Sequence, residues 1–237
     1  MAIGDGLCDP ISMTNYGDFL LSIGLIDEVD RGYFKSIQAI LEQFIKQQKW
    51  VEAFRVFDDL LNGDLSKHPS YFANSTGFNY YFNYLISESP ADQAFYGPLL
   101  QLPDVRRSIH VGNLTYNDGQ KVEQQLLPDI MQSVKPWVQE IIDNDYKVMI
   151  YNGQLDIIIA WPLTENFLQG LNWSANRNYT NTERQKWHVG GDLAGYVKTV
   201  ANFTQVLVRN SGHMVPYDQP QWAFDMINRF TSHKAFN

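Results

Sequence analysis

Apolar side chains recur at helical spacing in two consecutive stretches between residues 30 and 61. The apolar positions are 34, 37, 41, 44 and 45 in the first stretch, and 51, 54, 57, 60 and 61 in the second. Residues three and four positions apart share one face of a helix, and the pair Asn62-Gly63 that follows is typical of a helix C-terminus. The pattern predicts two helices that form a hairpin, with the aromatic-rich stripe packed in the core.

From residue 133 onward, the hydrophobic pattern alternates between helices and strands. The stretch SVKPWVQEIIDND predicts a helix with Pro136 in its first turn, where the missing N–H has no intrahelical partner to lose. YKVMIYNG predicts a strand that is apolar on both faces, as in the centre of a parallel sheet. A helix around residues 162–171, a polar loop, extended segments ending in a strand at about residues 204–208, and a closing helix in DQPQWAFDMINRF follow. This order predicts the edge of a mostly parallel sheet covered by helices.

Composition and charge narrow the classes of partner. The chain has 237 residues, 44% of them hydrophobic, enough for one sizeable core or a core with a subdomain. Its net charge of −8 disfavours nucleic acids and anionic membranes, which attract basic surfaces. The longest apolar candidate, KVMIYNGQLDIIIAW, is interrupted by polar residues and is shorter than the roughly 20 residues that cross a bilayer. We therefore expect no nucleic-acid partner and no membrane partner.

Asn-x-Ser/Thr sequons are more frequent than chance predicts. They occur at five positions, Asn74, Asn113, Asn172, Asn178 and Asn202, against about 1.7 expected from the composition. The excess favours a glycoprotein of the secretory route whose signal peptide is not in this sequence, and the alternative is an Asn-rich chain with unused sequons. The single cysteine, Cys8, cannot pair within the chain and leaves the redox compartment open.

Two polar residues follow directly after predicted buried strands. Asp156 comes after VMIYNGQL, and His213 comes after VLVRNSG. Catalytic groups in open parallel sheets gather at the carboxyl ends of the strands. If the two strands are neighbours, the carboxylate can accept the imidazole Nδ1–H and leave Nε2 free to take a hydroxyl proton. Capping of a strand end is the alternative for either residue alone.

The order of these two residues along the chain predicts where a nucleophile belongs. In hydrolases of the α/β type, the triad runs Ser, then Asp or Glu, then His, so the serine is expected upstream of Asp156. No Gly-x-Ser-x-Gly elbow occurs in the 237 residues. No serine follows a predicted buried strand and opens a helix, and Ser211 stands beside the histidine itself. The chain as given is predicted to lack the nucleophile.

Several stretches resemble the serine carboxypeptidases. SGHMVPYDQP closely resembles the histidine motif of that family, Gly-His-Met-Val-Pro followed by an aromatic residue, Asp and Pro. VMIYNGQLD resembles the family's aspartate motif, and IGDGLCDP resembles the segment that follows its nucleophile elbow. The sequence Gly-Gln-Leu-Asp within this motif most resembles that of the vitellogenic carboxypeptidase branch. The resemblance covers essentially the whole chain.

This resemblance implies an α/β-hydrolase fold with a helical cap insertion, and a chain that is a C-terminal fragment without the N-terminal half of the core sheet. Residues 1–10 are then the end of a core strand. Residues 11–130 are mainly the helical cap insertion and a return segment. Residues 131–237 are the C-terminal part of the α/β-hydrolase core.

The same resemblance implies the activity and the roles of individual residues. Family members remove single residues from peptide C-termini, in lysosomal or extracellular compartments, and no cofactor or metal is expected. Asp156 and His213 match the triad acid and base. Met214 matches a methionine that lines the pocket of the leaving residue, and the alternative for Met214 is simple packing.

The family's nucleophile elbow, its oxyanion loop and its carboxylate-binding Asn and Glu all lie upstream of residue 1 by this resemblance. Because loss of a triad member alone costs several powers of ten in rate, the fragment is predicted to be inactive by itself. The alternatives are a catalytically inactive short product that acts as a binding or storage protein, and an acyltransferase of the same family.

Overall fold

The computed structural model describes residues 1–117 and 119–236. Its strands are β1 (Ala2–Gly4), β2 (Val148–Gly153), β3 (Gln185–Val189), β4 (Asp192–Val200) and β5 (Phe203–Val208). Its α-helices are α1 (Tyr16–Ser22), α2 (Glu28–Lys46), α3 (Trp50–Phe57), α4 (Tyr71–Thr76), α5 (Tyr96–Gln101), α6 (Pro103–Ser108), α7 (Gln120–Leu126), α8 (Lys135–Asp143), α9 (Trp161–Gln169), α10 (Asn176–Asn181), α11 (Val215–Asp218) and α12 (Pro220–Thr231). A π-helical turn, Asp58–Asn62, continues α3, and a 3₁₀ turn, Ala91–Ala94, precedes α5.

The strands form one sheet in the order β1-β2-β5-β4-β3. Strands β1, β2 and β5 are parallel, whereas β4 and β3 run antiparallel to their neighbours. The sheet is therefore mixed, with the predicted parallel part confined to three strands. Strands β2 and β5 are direct neighbours, with Gly153 opposite Val208 at their carboxyl ends. The condition under which Asp156 and His213 can meet is thus fulfilled.

The two central strands carry apolar side chains on both faces because each face packs on its own core. On β2, Val148 and Ile150 belong to one hydrophobic cluster and Met149 belongs to the other. On β5, Phe203 faces the first cluster while Val206 faces the second. This alternation follows from the two-residue repeat of a strand, and it explains why the sequence shows a continuous apolar run here.

Strand β3 lies in a region whose sequence predicts a polar loop. Its side chains alternate, since Trp187 is buried while Lys186 and His188 are exposed. Trp187 also donates from Nε1 to Asp225 Oδ2 at 2.8 Å. An edge strand needs only one buried face, so the apolar signal of β3 consists of Trp187 and the partly buried Val189, which is too little to predict a strand from. The two-residue Gly190-Gly191 connection to β4, with positive φ at both glycines, is the turn signal that fits a tight hairpin.

The predicted helical hairpin is present as α2 and α3. The side chain of Asp27 accepts hydrogen bonds from the backbone N–H groups of Val29 and Asp30, which caps α2. The π-helical turn after α3 ends at Gly63, whose φ of 73° is left-handed, as predicted for a C-terminal signal. The aromatic stripe packs in the core, where Phe34 and Phe57 are buried.

The predicted closing helix is present as α12, and its apolar residues lie on more than one face. Met226 and Phe230 are buried against the sheet. Phe224 is 72% exposed and Ile227 is 40% exposed, because both fall on the outer face of the helix. The apolar residues of this segment therefore lie around the helix and do not form one buried stripe.

The distribution of elements matches the predicted division of the chain without testing its boundaries. Helices α1 to α7 fall between residues 11 and 130, and strands β2 to β5 fall after residue 131. The assignment of residues 11–130 as a cap therefore stays a prediction. Among the described residues, no helix combines the length and the apolar character needed to traverse a bilayer.

Candidate active site

Three polar side chains meet at one edge of the sheet. Asp5 follows β1, Asp156 follows β2 and His213 follows β5. Because β1, β2 and β5 are adjacent and parallel, the segments after them leave the sheet at the same edge. One oxygen or nitrogen atom of each residue lies within 4.8 Å of those of the other two. The sequence predicted the last two of these residues and missed Asp5.

Asp156 and His213 are joined by a direct hydrogen bond. Nδ1 of the imidazole lies 2.8 Å from Oδ2 of the carboxyl group. The Asp156 side chain is fully buried, whereas the His213 side chain is 23% exposed. A buried carboxylate at Nδ1 holds the imidazole in the tautomer whose Nε2 has a free lone pair. The pair can therefore accept a proton at Nε2 and stabilise the imidazolium that results.

Close backbone contact fixes the two loops that carry this pair. A Cβ atom at Gly153 would lie 1.9 Å from the carbonyl oxygen of Gly212, and one at Gly212 would lie 2.1 Å from the carbonyl oxygen of Phe82. Glycine is required at both positions because no side-chain atom fits in these gaps. The backbone N–H of Leu155 donates to the carbonyl of Ser211 at 2.8 Å, which ties the loop after β2 to the loop after β5.

An aromatic ring from the segment after α4 covers the histidine. Phe82 stacks on His213 with ring centroids 4.7 Å apart and an interplanar angle of 17°. The carbonyl of Phe82 also accepts the backbone N–H of His213 at 2.7 Å. Phe82 was not predicted as a site residue, because its signal in the sequence is the aromatic-rich run NYYFNY, which is equally typical of core packing.

Met214 lies beside the pair at the mouth of a cavity of about 550 Å³. The cavity is lined by Phe82, Ser89, Asp92, Gln93, Ala94, Tyr96, Met214 and Tyr217. Met214 is 44% exposed, so it is not a packed core side chain. The hydroxyl of Tyr217 donates to Asp92 Oδ1 at 2.7 Å, and this bond spans one part of the cavity lining. Met214 lines this cavity, and its predicted contact with the leaving residue stays a prediction.

The Asp5 side chain is held by two hydrogen bonds from the end of β2. Its Oδ1 accepts hydrogen bonds from the backbone N–H of Gly153 at 3.0 Å and from Nδ2 of Asn152 at 3.3 Å. Burial and the negative charge of Asp156 raise the pKa of Asp5 well above its usual value. Burial also raises the pKa of Asp156, although the hydrogen bond from His213 acts in the opposite direction.

The described residues do not supply a nucleophile to His213. Ser211, the serine next to it in the sequence, is fully buried, and its hydroxyl donates to the carbonyl of Gly212 at 3.0 Å. Cys8 is buried and free, and burial, followed by the charge of Asp9, raises its pKa to about 11. A thiol with that pKa is not ionised at neutral pH and is a poor nucleophile.

Asp5, Asp156 and His213 could each offer one ligand atom to a metal ion. The distance between the His213 and Asp156 atoms, however, is that of a hydrogen bond and not that of two ligands of one metal ion. A Zn²⁺ ion about 2.1 Å from both Nδ1 and Oδ2 would see them at an acute angle, because those two atoms are only 2.8 Å apart. Tetrahedral coordination needs them farther apart. We therefore treat the His213–Asp156 contact as a hydrogen bond.

The five sequons differ in accessibility. The asparagines at 74, 113, 172 and 178 are exposed. Asn202 is half-buried, and its Nδ2 donates to the backbone carbonyls of Ile142 and Tyr146 at 2.9 and 2.6 Å. The nitrogen that a glycan would occupy is thus already engaged at one sequon of the five.

Comparisons with known proteins find similar sequences along essentially the whole chain. The sequence profile of the family described as serine carboxypeptidase matches residues 1–233. The chain is 50% identical over 238 residues to a venom serine carboxypeptidase of Apis mellifera, 48% identical over 241 residues to the probable serine carboxypeptidase CPVL of Homo sapiens, and 40% identical over 240 residues to the vitellogenic carboxypeptidase of Aedes aegypti. Each alignment covers the entire chain and 50–51% of the relative. The chain therefore spans about half the length of these proteins.

A solved structure supports the architecture. The crystal structure of a prohormone-processing carboxypeptidase from Saccharomyces cerevisiae superposes with a TM-score of 0.69 at 19% sequence identity, covering 98% of this chain and 54% of that one. Similarity at this level of identity concerns the fold alone. It confirms the predicted α/β-hydrolase fold.

Proposed function

Because the chain belongs to the serine carboxypeptidase family, we propose that the natural protein removes single residues from the C-termini of peptides by a Ser-Asp-His triad. Asp156 and His213 are its acid and base, and the serine lies upstream of this chain. The observation that supports the proposal most directly is the 2.8 Å hydrogen bond between Asp156 and His213 at the carboxyl edge of two adjacent parallel strands.

In the proposed mechanism, His213 transfers the proton and Asp156 stabilises the charge that His213 then carries. Nε2 of His213 takes the proton from the attacking serine hydroxyl and then gives it to the nitrogen of the leaving amino acid. Asp156 stays ionised and stabilises the imidazolium between these two transfers. Because Asp156 is fully buried, little water screens its charge, and its attraction for the imidazolium is stronger than it would be at the surface.

The leaving amino acid occupies the cavity next to His213 in this proposal. The cavity holds about 550 Å³, which is ample for one residue, and the side chains of Phe82, Met214 and Tyr217 give it apolar and aromatic walls. Such walls favour large apolar or aromatic side chains on the released residue. Met214 follows His213 directly, so it contacts the residue released at the catalytic base.

The chain by itself is proposed to be inactive. His213 has no described serine within hydrogen-bonding contact, and a triad without its nucleophile retains only residual catalysis. The oxyanion donors implied by the family resemblance also lie outside the sequence. Turnover of a C-terminal peptide substrate by the purified 237-residue chain would contradict this.

We propose a route through the secretory pathway to a lysosomal or extracellular site. Four exposed sequons support this because glycans attach to surface asparagines. The names of two relatives, venom and vitellogenic carboxypeptidase, are in keeping with it. No nucleic-acid or membrane partner is proposed, on the ground of the acidic net charge.

Labelling of the protein in its native source tests the proposal. An extract is treated with a fluorescent fluorophosphonate, which reacts with activated serines, and the protein is captured with an antibody against residues 215–237. A labelled band well above 27.3 kDa, the mass of this chain, is expected. Its control is prior treatment with an unlabelled serine-hydrolase inhibitor, which must abolish the signal. An unlabelled band near 27.3 kDa would favour the second candidate, a short product that binds or stores without catalysis.

A further inference from the structure

One oxygen of the buried Asp156 carboxyl group has no hydrogen-bond donor. The backbone N–H of Ile159 approaches the carboxyl group and lowers its pKa, but Oδ2 bonds to His213 and Oδ1 receives no hydrogen bond of normal geometry from the described residues. A buried carboxylate oxygen without a donor is costly, since it has lost its water and gained nothing in exchange. In addition to His213, the side chain of Asp5 lies within hydrogen-bond reach of this carboxyl group.

Two ionised carboxylates cannot occupy this position together. The ion pairs among the described residues include no Lys or Arg bonded to Asp5 or Asp156. Among residues 1–117 and 119–236, the hydrogen bonds that Asp5 accepts come from the uncharged N–H donors of Gly153 and Asn152. In a buried site, repulsion between two neighbouring carboxylates raises the pKa of one of them, so that this carboxyl group keeps its proton and the pair carries a single negative charge.

The surroundings favour Asp5 as the residue that holds this proton. Burial, followed by the charge of Asp156, raises the pKa of Asp5 well above its usual value, whereas Asp156 has His213 to offset its charge. The other titratable side chains facing the pair are the phenols of Tyr16, Tyr80 and Tyr151 and the carboxyl group of Asp218, which accepts the backbone N–H of Gly212. Burial raises the pKa of each of the three phenols, so they remain neutral.

The backbone at Asp5 has a left-handed conformation. Its φ is +47°, in a region that aspartate adopts more readily than most residues other than glycine. Its N–H pairs with the carbonyl of Tyr151 at 2.9 Å, which fixes Asp5 at the carboxyl end of β1. Asp5 is therefore held at the same edge of the sheet as Asp156 and His213.

We propose that Asp5 is a positioning residue of the acid–base pair: its carboxyl group carries a proton and donates it in a hydrogen bond to Oδ1 of Asp156. This bond fixes the rotation of the Asp156 carboxylate so that Oδ2 faces Nδ1 of His213. It also limits the site to one negative charge, which is balanced when His213 becomes an imidazolium. The inference rests on the proposed function of Asp156 and His213, and it extends the triad by one neutral member.

Two substitutions in the full-length natural protein separate a neutral Asp5 from an ionised one. Asp5→Asn keeps an uncharged donor of the same shape, so kcat is expected within about threefold of the wild type, with the acid limb of the kcat/KM pH profile unmoved. Asp5→Ala removes the donor, so kcat is expected to fall about tenfold with KM unchanged. If Asp5→Asn shifts the acid limb to lower pH by one unit or more, Asp5 carries a negative charge and the proposal is wrong. An unchanged kcat for Asp5→Ala would also overturn it.

A readout independent of activity separates this inference from the proposed function. Infrared difference spectra between the wild type and Asp5→Asn at neutral pH are expected to show the carbonyl band of one protonated carboxylic acid in the wild type alone. Absence of that band overturns the inference even in an active enzyme, and its presence supports the inference even if no serine is labelled. Should Asp5→Asn not fold, Asp156→Asn serves instead. Removing the neighbouring charge is expected to move the titration of the same band to lower pH, and an unmoved titration would refute the shared proton.

Discussion

The contact between the loops after β2 and β5 predicts that a single methyl group disables the acid–base pair. In Gly153→Ala, the new Cβ would lie 1.9 Å from the carbonyl oxygen of Gly212 and 2.5 Å from that of Ser211. Both obstacles are backbone atoms, so no flexible side chain can move aside. An ordinary contact needs the loops to separate by about 1.5 Å. Half of that shift takes the 2.8 Å bond between His213 and Asp156 to the outer limit of a hydrogen bond.

The expected cost follows from that displacement. A serine triad whose acid no longer orients the histidine loses about four powers of ten in kcat. Because the loops relax in part, we expect a fall in kcat of about 10²–10⁴ for Gly153→Ala. Inserting a methyl group where there is no space also lowers the free energy of unfolding by about 1–3 kcal/mol. KM for a peptide substrate is expected to rise as well, because Met214, two residues after Gly212 in the displaced loop, lines the cavity.

The assay is the hydrolysis of a C-terminal peptide bond by the full-length natural protein, with thermal unfolding followed in parallel. The matched control is Gly32→Ala in α2, where an added Cβ meets no atom within 4 Å. This control is expected to keep full activity and to gain up to about 1 kcal/mol of helix stability. Wild-type kcat in a folded Gly153→Ala protein would refute the claim that this contact keeps His213 within hydrogen-bonding distance of Asp156.

Three further predictions follow from the same structure. Met214→Ala should raise KM several-fold for substrates ending in large apolar residues and leave kcat for small ones near wild type, because Met214 lines the cavity; equal effects on both substrates would argue against a pocket role. Mass spectrometry of the native glycoprotein should find Asn202 unmodified, because its Nδ2 already donates two hydrogen bonds; a glycan there would contradict the structure. The raised pKa of Asp5 means that its stabilising contribution is complete below its ordinary pKa of 3.8 and is lost as the pH rises toward the folded-state pKa. The free energy of unfolding of Asp5→Asn, measured with denaturant, should therefore fall less than that of the wild type as the pH rises above about 4, and parallel pH profiles would count against a buried neutral Asp5.

Elements with a local signal were predictable, and those that depend on tertiary neighbours were not. The α2–α3 hairpin and the strands β2 and β5 follow from periodicity because each buries a continuous apolar pattern. Strand β3 was missed because an edge strand with one buried tryptophan reads as a polar loop. Helix α1 lies in the part of the chain expected to be mainly helical, but its seven residues are too few to show a helical period of their own.

The candidate site shows the same division. Asp156 and His213 were found because each follows a recognisable buried strand. Asp5 follows β1, a strand of three residues, and its importance depends on a neighbour 151 positions along the chain. Phe82 reaches His213 from a turn-rich segment without periodicity. A sequence pattern identifies residues that chemistry requires at a strand end, but it does not show which other side chains the fold brings within reach.

The geometry of the acid–base pair is set entirely by residues of this chain. The bond from the Leu155 N–H to Ser211, the contact of Gly153 with Gly212, and the Phe82 carbonyl on the His213 N–H together fix both loops. None of these contacts involves a serine nucleophile. The pair is therefore formed before any nucleophile meets it, and a serine supplied by another part of the protein needs only to reach Nε2. Preorganisation of this kind spares the reaction the reorientation of its base. It also makes the protonation of Asp5 important, because the buried Asp156 carboxylate can then face His213 without a second negative charge beside it.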